Sequence, residues 1–124
     1  MMTSPSEPSA RAAADGGATG GFPVGLDLCL VPIGAGISLA GYIAECQRCF
    51  EDHGLTPRLG PFGTSVEGDW DQVMAALRAC HERVHAMGAA RILSTVKIAS
   101  RTDRTESLDD KISAVDRAKK KAGG

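Results

Sequence analysis

Leu26, Leu28 and Leu30 alternate with Asp27 and Cys29 between Val24 and Val31, the period of a strand that buries one face. The run stops at the breaker cluster Pro32-Ile33-Gly34-Ala35-Gly36, after which Ser38 reads as a helix N-cap. Leu39, Tyr42, Ile43, Cys46, Cys49 and Phe50 then recur at helical spacing up to His53, with Gly54 as the left-handed stop. Thr56 to Pro61 and Gly63 to Glu67 read as two strands turned by Pro61-Phe62-Gly63. Pro57 has no amide to give to a ladder and marks the first of them as irregular or an edge. Parity in the second puts Thr64 and Val66 on one face, Ser65 and Glu67 on the other. Asp69 caps a second helix whose Trp70, Val73, Met74, Leu77, Cys80, His81, Val84 and Met87 form one stripe, ended by Gly88. Arg91 to Ile98 predicts a last strand, with Ile92, Val96 and Ile98 toward the core and Leu93, Thr95 and Lys97 away from it. Ser107-Leu108-Asp109-Asp110 opens a final helix in which Leu108, Ile112 and Val115 fall at i, i+4 and i+7.

The order β, α, β, β, α, β with an extra C-terminal α is the split pattern of the ferredoxin-like sandwich, an α+β fold with two helices on one face of a four-stranded antiparallel sheet. The opposite face then carries Asp27, Cys29, Leu93, Thr95 and Lys97, too apolar a set for a plain solvent face, and is expected to be covered by another subunit. Residues 23–121 are expected to form one domain. Residues 1–22 are dominated by Ser, Pro, Ala, Gly and Thr and predict a disordered tail. That segment lacks the apolar centre of a secretory signal and the arginine-rich, acid-poor character of a transit peptide, so the expected location is the cytoplasm.

With 124 residues and 43% hydrophobic composition the chain can bury one core, too small for a two-domain enzyme with a deep cleft. Fourteen basic against fifteen acidic residues give a net charge of -1, without the positive footprint of a nucleic-acid binder. The one basic run, Lys119-Lys120-Lys121, reads as a solvated tail. No apolar run is long enough to span a bilayer, so no membrane partner is expected.

Two motifs invite chemical readings and lose them on inspection. Cys46 and Cys49 form a C-x-x-C, but inside an apolar helical stripe rather than at a helix N-terminus, so a packing role is expected; no second ligand pair supports a zinc site. His81-Glu82-Arg83-Val84-His85 matches H-E-x-x-H. At 100° per residue from a stripe centred on Leu77, however, Glu82 lies about 140° away and faces solvent while His81 faces the core. A third ligand in the longer metal-binding pattern would fall on Arg91, which cannot bind zinc. With no nucleophile paired to a base in the sequence and no phosphate-cradling loop with lysine, no enzyme and no metal site are expected. His53 and His85 remain as possible acid or base groups.

The densest cluster of candidate site residues is Gly63-Thr64-Ser65-Val66-Glu67-Gly68-Asp69, a hydroxyl and a carboxylate on a short extended run. Together with Val31-Pro32-Ile33-Gly34 and Ser38 after the first strand, and Ser94-Thr95-Val96-Lys97-Ile98 with Arg101-Thr102-Asp103 near the end, it resembles the small thiamine-binding proteins of ferredoxin-like fold from bacteria, archaea and fungi. The resemblance runs from about Val24 to the final helix. It implies homo-oligomers, usually a tetramer built as a dimer of dimers, a site for thiamine or its pyrimidine part, and no catalysis. Thiamine is thus expected as a ligand and no cofactor is expected.

Chemistry at the matching positions gives the candidate contacts. An aminopyrimidine asks for a carboxylate, which Glu67 offers, and the thiazolium cation asks for negative charge, from Asp27 or Asp103. Ser38 and Thr64 offer hydroxyls, Pro32, Gly34 and Gly63 close main-chain approach, and Phe62 a stacking face. Lys97 and Arg101 have the wrong sign beside a cation, so either they bridge to Glu67 and Asp103 or they bind an anion. The competing reading is a structural or regulatory oligomer with no small ligand.

Overall fold

The computed structural model describes residues 21–36 and 38–123. Seven elements follow one another: β1 (Pro23–Ile33), α1 (Ala40–Asp52), β2 (Arg58–Leu59), β3 (Thr64–Asp69), α2 (Trp70–Ala86), β4 (Arg91–Ser100) and α3 (Leu108–Gly123). The sheet order is β2-β3-β1-β4 with every pairing antiparallel, the ferredoxin-like arrangement.

The alternation of β1 decides the layers. Val24, Leu26, Leu28 and Leu30 are buried under α1 and α2, against Cys46, Cys49, Phe50, Val73, Ala76, Cys80 and Val84. Val66 joins this core from β3 and Ala89 from the turn before β4. Between the helices, the Arg83 guanidinium reaches Glu45 at 3.1 Å and Asp52 at 2.9 Å, tying α2 to α1 at the solvent edge. Gly54 at φ 80° and Gly88 at φ 108° end the two helices in the left-handed region where other residues are strained.

Several sequence expectations need correction. Ser38 is exposed and does not cap α1; Leu39 holds the N-cap position, with no side-chain hydrogen bond there. The strand expected over Thr56 to Pro61 shrinks to Arg58 and Leu59, because Pro57 has no amide and the chain turns where the Gly60 amide donates to the Gly63 carbonyl at 2.8 Å. The last strand runs two residues further, to Ser100, and Ile98, expected in the core, is 47% exposed because β4 is the sheet's edge. Met87 is also exposed, just past the end of α2. Lys119, Lys120 and Lys121 are exposed but helical, within α3. The expected disordered tail falls outside the described residues up to position 20. Its last residue, Phe22, is ordered against Trp70, with ring centroids 5.4 Å apart and its carbonyl accepting the Trp70 amide.

The sheet face away from α1 and α2 is crossed by side chains in register. One row is Arg58, Ser65, Asp27 and Lys97, one from each strand; the next is Glu67, Gly25 and Ala99. After β4 the chain folds back over this face through residues 101–107 and enters α3.

Candidate functional site

Gly25 and Ala99 explain why a hollow exists on this face. At the two positions beside Glu67, where strands usually present bulky side chains, the sheet has a hydrogen and a methyl group. The chain from Arg101 to Ser107 partly roofs the hollow, and the resulting open groove has a volume of about 870 Å³, inside the roughly 300–1,000 Å³ range of small-molecule sites. Its floor carries Asp27, Glu67 and Lys97, with Asp69 at one end; Arg101, Arg104, Glu106 and Lys111 come from the roof and from α3.

Each floor side chain is held differently. Asp27 Oδ1 accepts the Ser65 hydroxyl at 3.0 Å. Glu67 Oε1 accepts the Leu108 amide at 2.8 Å, a carboxylate at a helix N-terminus, where unpaired amides favour negative charge. Leu108 in turn lies over Gly25: a Cβ at that glycine would stand 3.5 Å from Leu108 Cδ2. On the β2 side of the same Leu108 and Glu67 lies a smaller recess of about 350 Å³, to which Arg58 also contributes. Lys97, opposite Asp27 in the register, makes no ion pair among the described residues.

The roof is a charge network centred on Glu106, whose side chain is 13% exposed and receives Arg101 and Arg104, each at 3.1 Å, and Lys111 at 3.3 Å. Arg101 also grips Asp103 through two bonds of 2.6 and 2.7 Å. That bidentate pair holds the Asp103 carboxyl down to about 2 and keeps the guanidinium charged. Lys111, then Arg101, lower Glu106 in the same way. Ser107 and Asp110 cap α3 reciprocally, the Ser107 amide donating to Asp110 Oδ2 at 2.9 Å and the Asp110 amide to Ser107 Oγ at 3.0 Å. The anchor is completed by an ion pair between Arg58 and Asp109.

Of the residues expected in the site, the structure gathers Glu67, Lys97 and Arg101 around one groove, with Asp27 beside them and Asp103 in the roof segment. Arg101 serves as a bridge to Asp103 and Glu106; Lys97 does not bridge to Glu67. Thr64 is on the other side of the sheet, buried, with its hydroxyl accepting from Gln47 Nε2 at 2.7 Å. Gly63 belongs to the floor's support: a Cβ there would lie 2.9 Å from Asp27 Oδ2 and 3.0 Å from the Leu28 carbonyl oxygen. Pro32 is buried near the far end of β1, opposite Ile92, about 23 Å along the strand from Gly25, and Gly34 and Ser38 lie past the end of that strand, so none of the three reaches the groove. Phe62 projects from the β2–β3 turn, 87% exposed. Sequence reasoning gave Ser65 no contact of its own within the run around Glu67, and it passed over Gly25, Ala99, Arg104, Glu106 and Lys111. The first three share the parity of Asp27 and Glu67 and were within reach of that signal; the roof residues have no periodicity to betray them.

The two discarded motifs have local explanations. Glu82 turns outward to Arg78 at 3.2 Å, and the His81 and His85 rings are 6.4 Å apart. His85 Nδ1 donates to the Ala89 carbonyl at 2.7 Å, and no group of metal-binding side chains occurs among the described residues. His81 Nε2 lies 2.7 Å from Ser94 Oγ, a contact between α2 and β4 that the sequence did not suggest; it is remote from the groove, and burial, with His85 nearby, lowers the His81 pKa. Cys46, Cys49 and Cys80 are buried between the helices, with Cys49 Sγ directed to the Ala76 carbonyl at 3.7 Å.

Fold and groove together define a ferredoxin-like domain with a small-molecule-sized site on the sheet face that its two packed helices leave uncovered. Within that class the chain belongs to the thiamine-binding protein family, whose pattern matches residues 26–116. A UPF0045 protein of Synechocystis is 47% identical over 91 residues, covering 73% of this chain and 75% of the relative. The crystal structure of a protein from Methanocaldococcus jannaschii superposes with a TM-score of 0.69 at 27% identity, covering 75% of this chain and 95% of the other. A Thermotoga maritima protein linked by name to thiamine biosynthesis or salvage shares the fold, with a TM-score of 0.63 at 20% identity over 75% of this chain and 98% of its own. Among the described residues no helix is long and apolar enough to cross a membrane.

Proposed function

We propose that the groove on the uncovered sheet face binds thiamine or its aminopyrimidine part, without catalysis, in a homodimer or homotetramer. The observation that carries this reading is the pair of floor carboxylates, Glu67 across the ladder from Gly25 and Asp27 two residues along β1, in a groove of ligand size, in a chain of the thiamine-binding family. Glu67 uses Oε1 to anchor α3, which leaves Oε2 to accept from a pyrimidine amino group. Asp27 supplies the negative charge a thiazolium asks for. With Leu108 over Gly25, the small side chain of Ala99 beside it leaves room for a flat ring against the sheet. Oligomerisation is supported by apolar side chains left uncovered: Leu93 at 61%, Ile112 at 56% and Val115 at 59% exposure.

Isothermal titration of thiamine and of the free aminopyrimidine into the purified protein tests the reading. Micromolar or tighter binding, lost in Asp27→Ala and weakened in Glu67→Gln, is expected. Absence of heat with both compounds would overturn it and leave the oligomeric module without a small ligand as the better account.

A further inference from the structure

The groove is electrically polarised, and free thiamine uses only one of its poles. The sheet floor contributes the carboxylates Asp27 and Glu67, which suit a cation. The roof and the first turn of α3 contribute Arg101, Arg104 and Lys111 against Asp103 and Glu106, three positive charges to two negative, and Lys97, on the floor beside Asp27, adds a fourth with no ion-pair partner among the described residues. A cationic ring resting on the floor would leave this second, positive pole unmatched and would be repelled by it. A ligand with a cation at one end and a phosphate at the other satisfies both poles.

We infer that the groove selects a phosphate ester of the thiamine-like cation over the free alcohol, with Lys97 and Arg104 as the phosphate contacts; this rests on the thiamine reading above. Two facts single out these residues. Arg101 has all three of its side-chain nitrogens engaged, bidentate on Asp103 and bonded again to Glu106, so it stiffens the roof instead of meeting the ligand. Arg104 holds Glu106 through one nitrogen only, at 3.1 Å, and its side chain is 63% exposed, so it retains donors that point elsewhere. A phosphomonoester carries roughly -1.5 to -2 charges near neutral pH, close to the uncompensated charge of Lys97 and the roof together.

The test compares thiamine, thiamine monophosphate and inorganic phosphate by calorimetry at one low ionic strength, on the intact chain and on Lys97→Ala and Arg104→Ala. Both substituted side chains are exposed, and circular dichroism checks that each variant is folded. The expected result is at least tenfold tighter binding of the monophosphate than of thiamine, with that advantage reduced severalfold in each variant. Binding of thiamine itself should be tighter in Lys97→Ala, because a like charge beside the cation's carboxylates is gone. Raising the salt concentration should weaken the monophosphate more than thiamine and so narrow the gap between them. Equal affinity for the two compounds, or an equal loss of both in the variants, would overturn the inference while leaving thiamine binding intact. Binding of neither compound would overturn both readings. Inorganic phosphate binding as tightly as the ester would overturn the two-pole ligand, since the floor would then contribute nothing.

Discussion

The Glu67 carboxylate accepts the backbone amide of Leu108 at 2.8 Å, joining the centre of the sheet to the start of the C-terminal helix across 41 residues of chain. The same carboxylate is the leading candidate for pyrimidine recognition, so one side chain both closes the roof of the groove and faces its interior. Removing it in Glu67→Ala should free the N-terminus of α3, at a cost of about 1 kcal/mol typical of a lost helix cap, and abolish thiamine binding. Glu67→Gln keeps an acceptor oxygen and should retain most of the anchoring while weakening the ligand. Hydrogen exchange of the residues 108–111 amides reads the anchor and calorimetry reads the ligand. Unchanged exchange in Glu67→Ala would show that Glu67 does not pin the helix.

Gly25 supplies a second, steric test. Its missing side chain makes room for both Leu108 and a ligand, and a Cβ alone would meet Leu108 Cδ2 at 3.5 Å, ordinary contact. Gly25→Ala should therefore fold normally and bind somewhat more weakly. Gly25→Leu should force Leu108 off the sheet and block the groove, eliminating binding while the core on the opposite face keeps the domain folded. Thermal melts with titration separate the two effects; undiminished thiamine binding in Gly25→Leu would place the ligand elsewhere.

The roof should respond to acid. Asp103 is held at about 2 where 3.8 is usual, by its hydrogen bonds to Arg101, so the folded carboxyl binds fewer protons than the unfolded one. Its contribution is complete above pH 3.8 and is lost as the pH falls toward about 2. Glu106, lowered from 4.5 mainly by Lys111 and Arg101, loses its contribution below pH 4.5. The Arg101 Nε–H chemical shift, set by its bond to Asp103, should therefore hold at pH 5 and move toward the value of a free arginine by pH 2 to 3. Asp103→Asn should move the loss of roof order to higher pH. A shift already at the free-arginine value at pH 6 would mean that the network does not form in solution.

Thiol chemistry discriminates the core cysteines from the surface one. Hydrogen bonding to Cys46 and burial push the Cys80 thiol far up, and burial raises Cys49, whereas Cys29 lies half-buried on the uncovered sheet face. Hydrogen bonding with Cys80 lowers the Cys46 pKa, but Cys46 is buried beyond a reagent's reach; since the thiolate is the reactive form, a chromogenic disulfide reagent should titrate Cys29 alone in the native protein, and Cys46, Cys49 and Cys80 only after denaturation. Cys29→Ser should abolish the native reaction. Fast modification of more than one thiol per chain would contradict the packing between α1 and α2.

Much of this fold could be read from periodicity because each element has one buried stripe. β1 alternates without exception, and α1 and α2 carry their apolar residues at helical spacing up to glycines that stop them. Failures came where geometry overrides pattern. Pro57 shortened β2, Ile98 obeyed the parity of the core but sits on an edge strand that the helices reach only in part, and Ser38 was a sound cap by composition yet stands outside the helix it precedes. Candidate site residues divided along the same line. Asp27, Glu67 and Lys97 lie on one face because strand parity and register put them there, and the same parity puts Thr64 in the core, although its hydroxyl beside Glu67 in sequence made it look like a partner. Arg104, Glu106 and Lys111 enter the site only because the chain after β4 folds back over the sheet, a tertiary event with no local signature.

The final prediction concerns the surface that a single chain leaves open. The groove occupies the Pro23 end of the uncovered face, while Val31 and Leu93, opposite each other in the register, lie toward its other end. α3, about 24 Å long at 1.5 Å per residue, is anchored through its first turn and carries Ile112 and Val115 more than half exposed. Burying a side chain of this size is worth about 1.5–3 kcal/mol, enough for these few positions to govern association. Sedimentation velocity at micromolar concentration should show a dimer or tetramer. Leu93→Arg and Ile112→Asp should each shift it toward monomer, since each buries a charge in the proposed contact while disturbing no side chain of the core. Cys29, on the same face, should then react faster with the thiol reagent in the dissociated variants than in the parent. A parent chain that sediments as a clean monomer would mean that the apolar end of the sheet and the stripe of α3 remain in water, and the homo-oligomer would have to be abandoned even if thiamine binds.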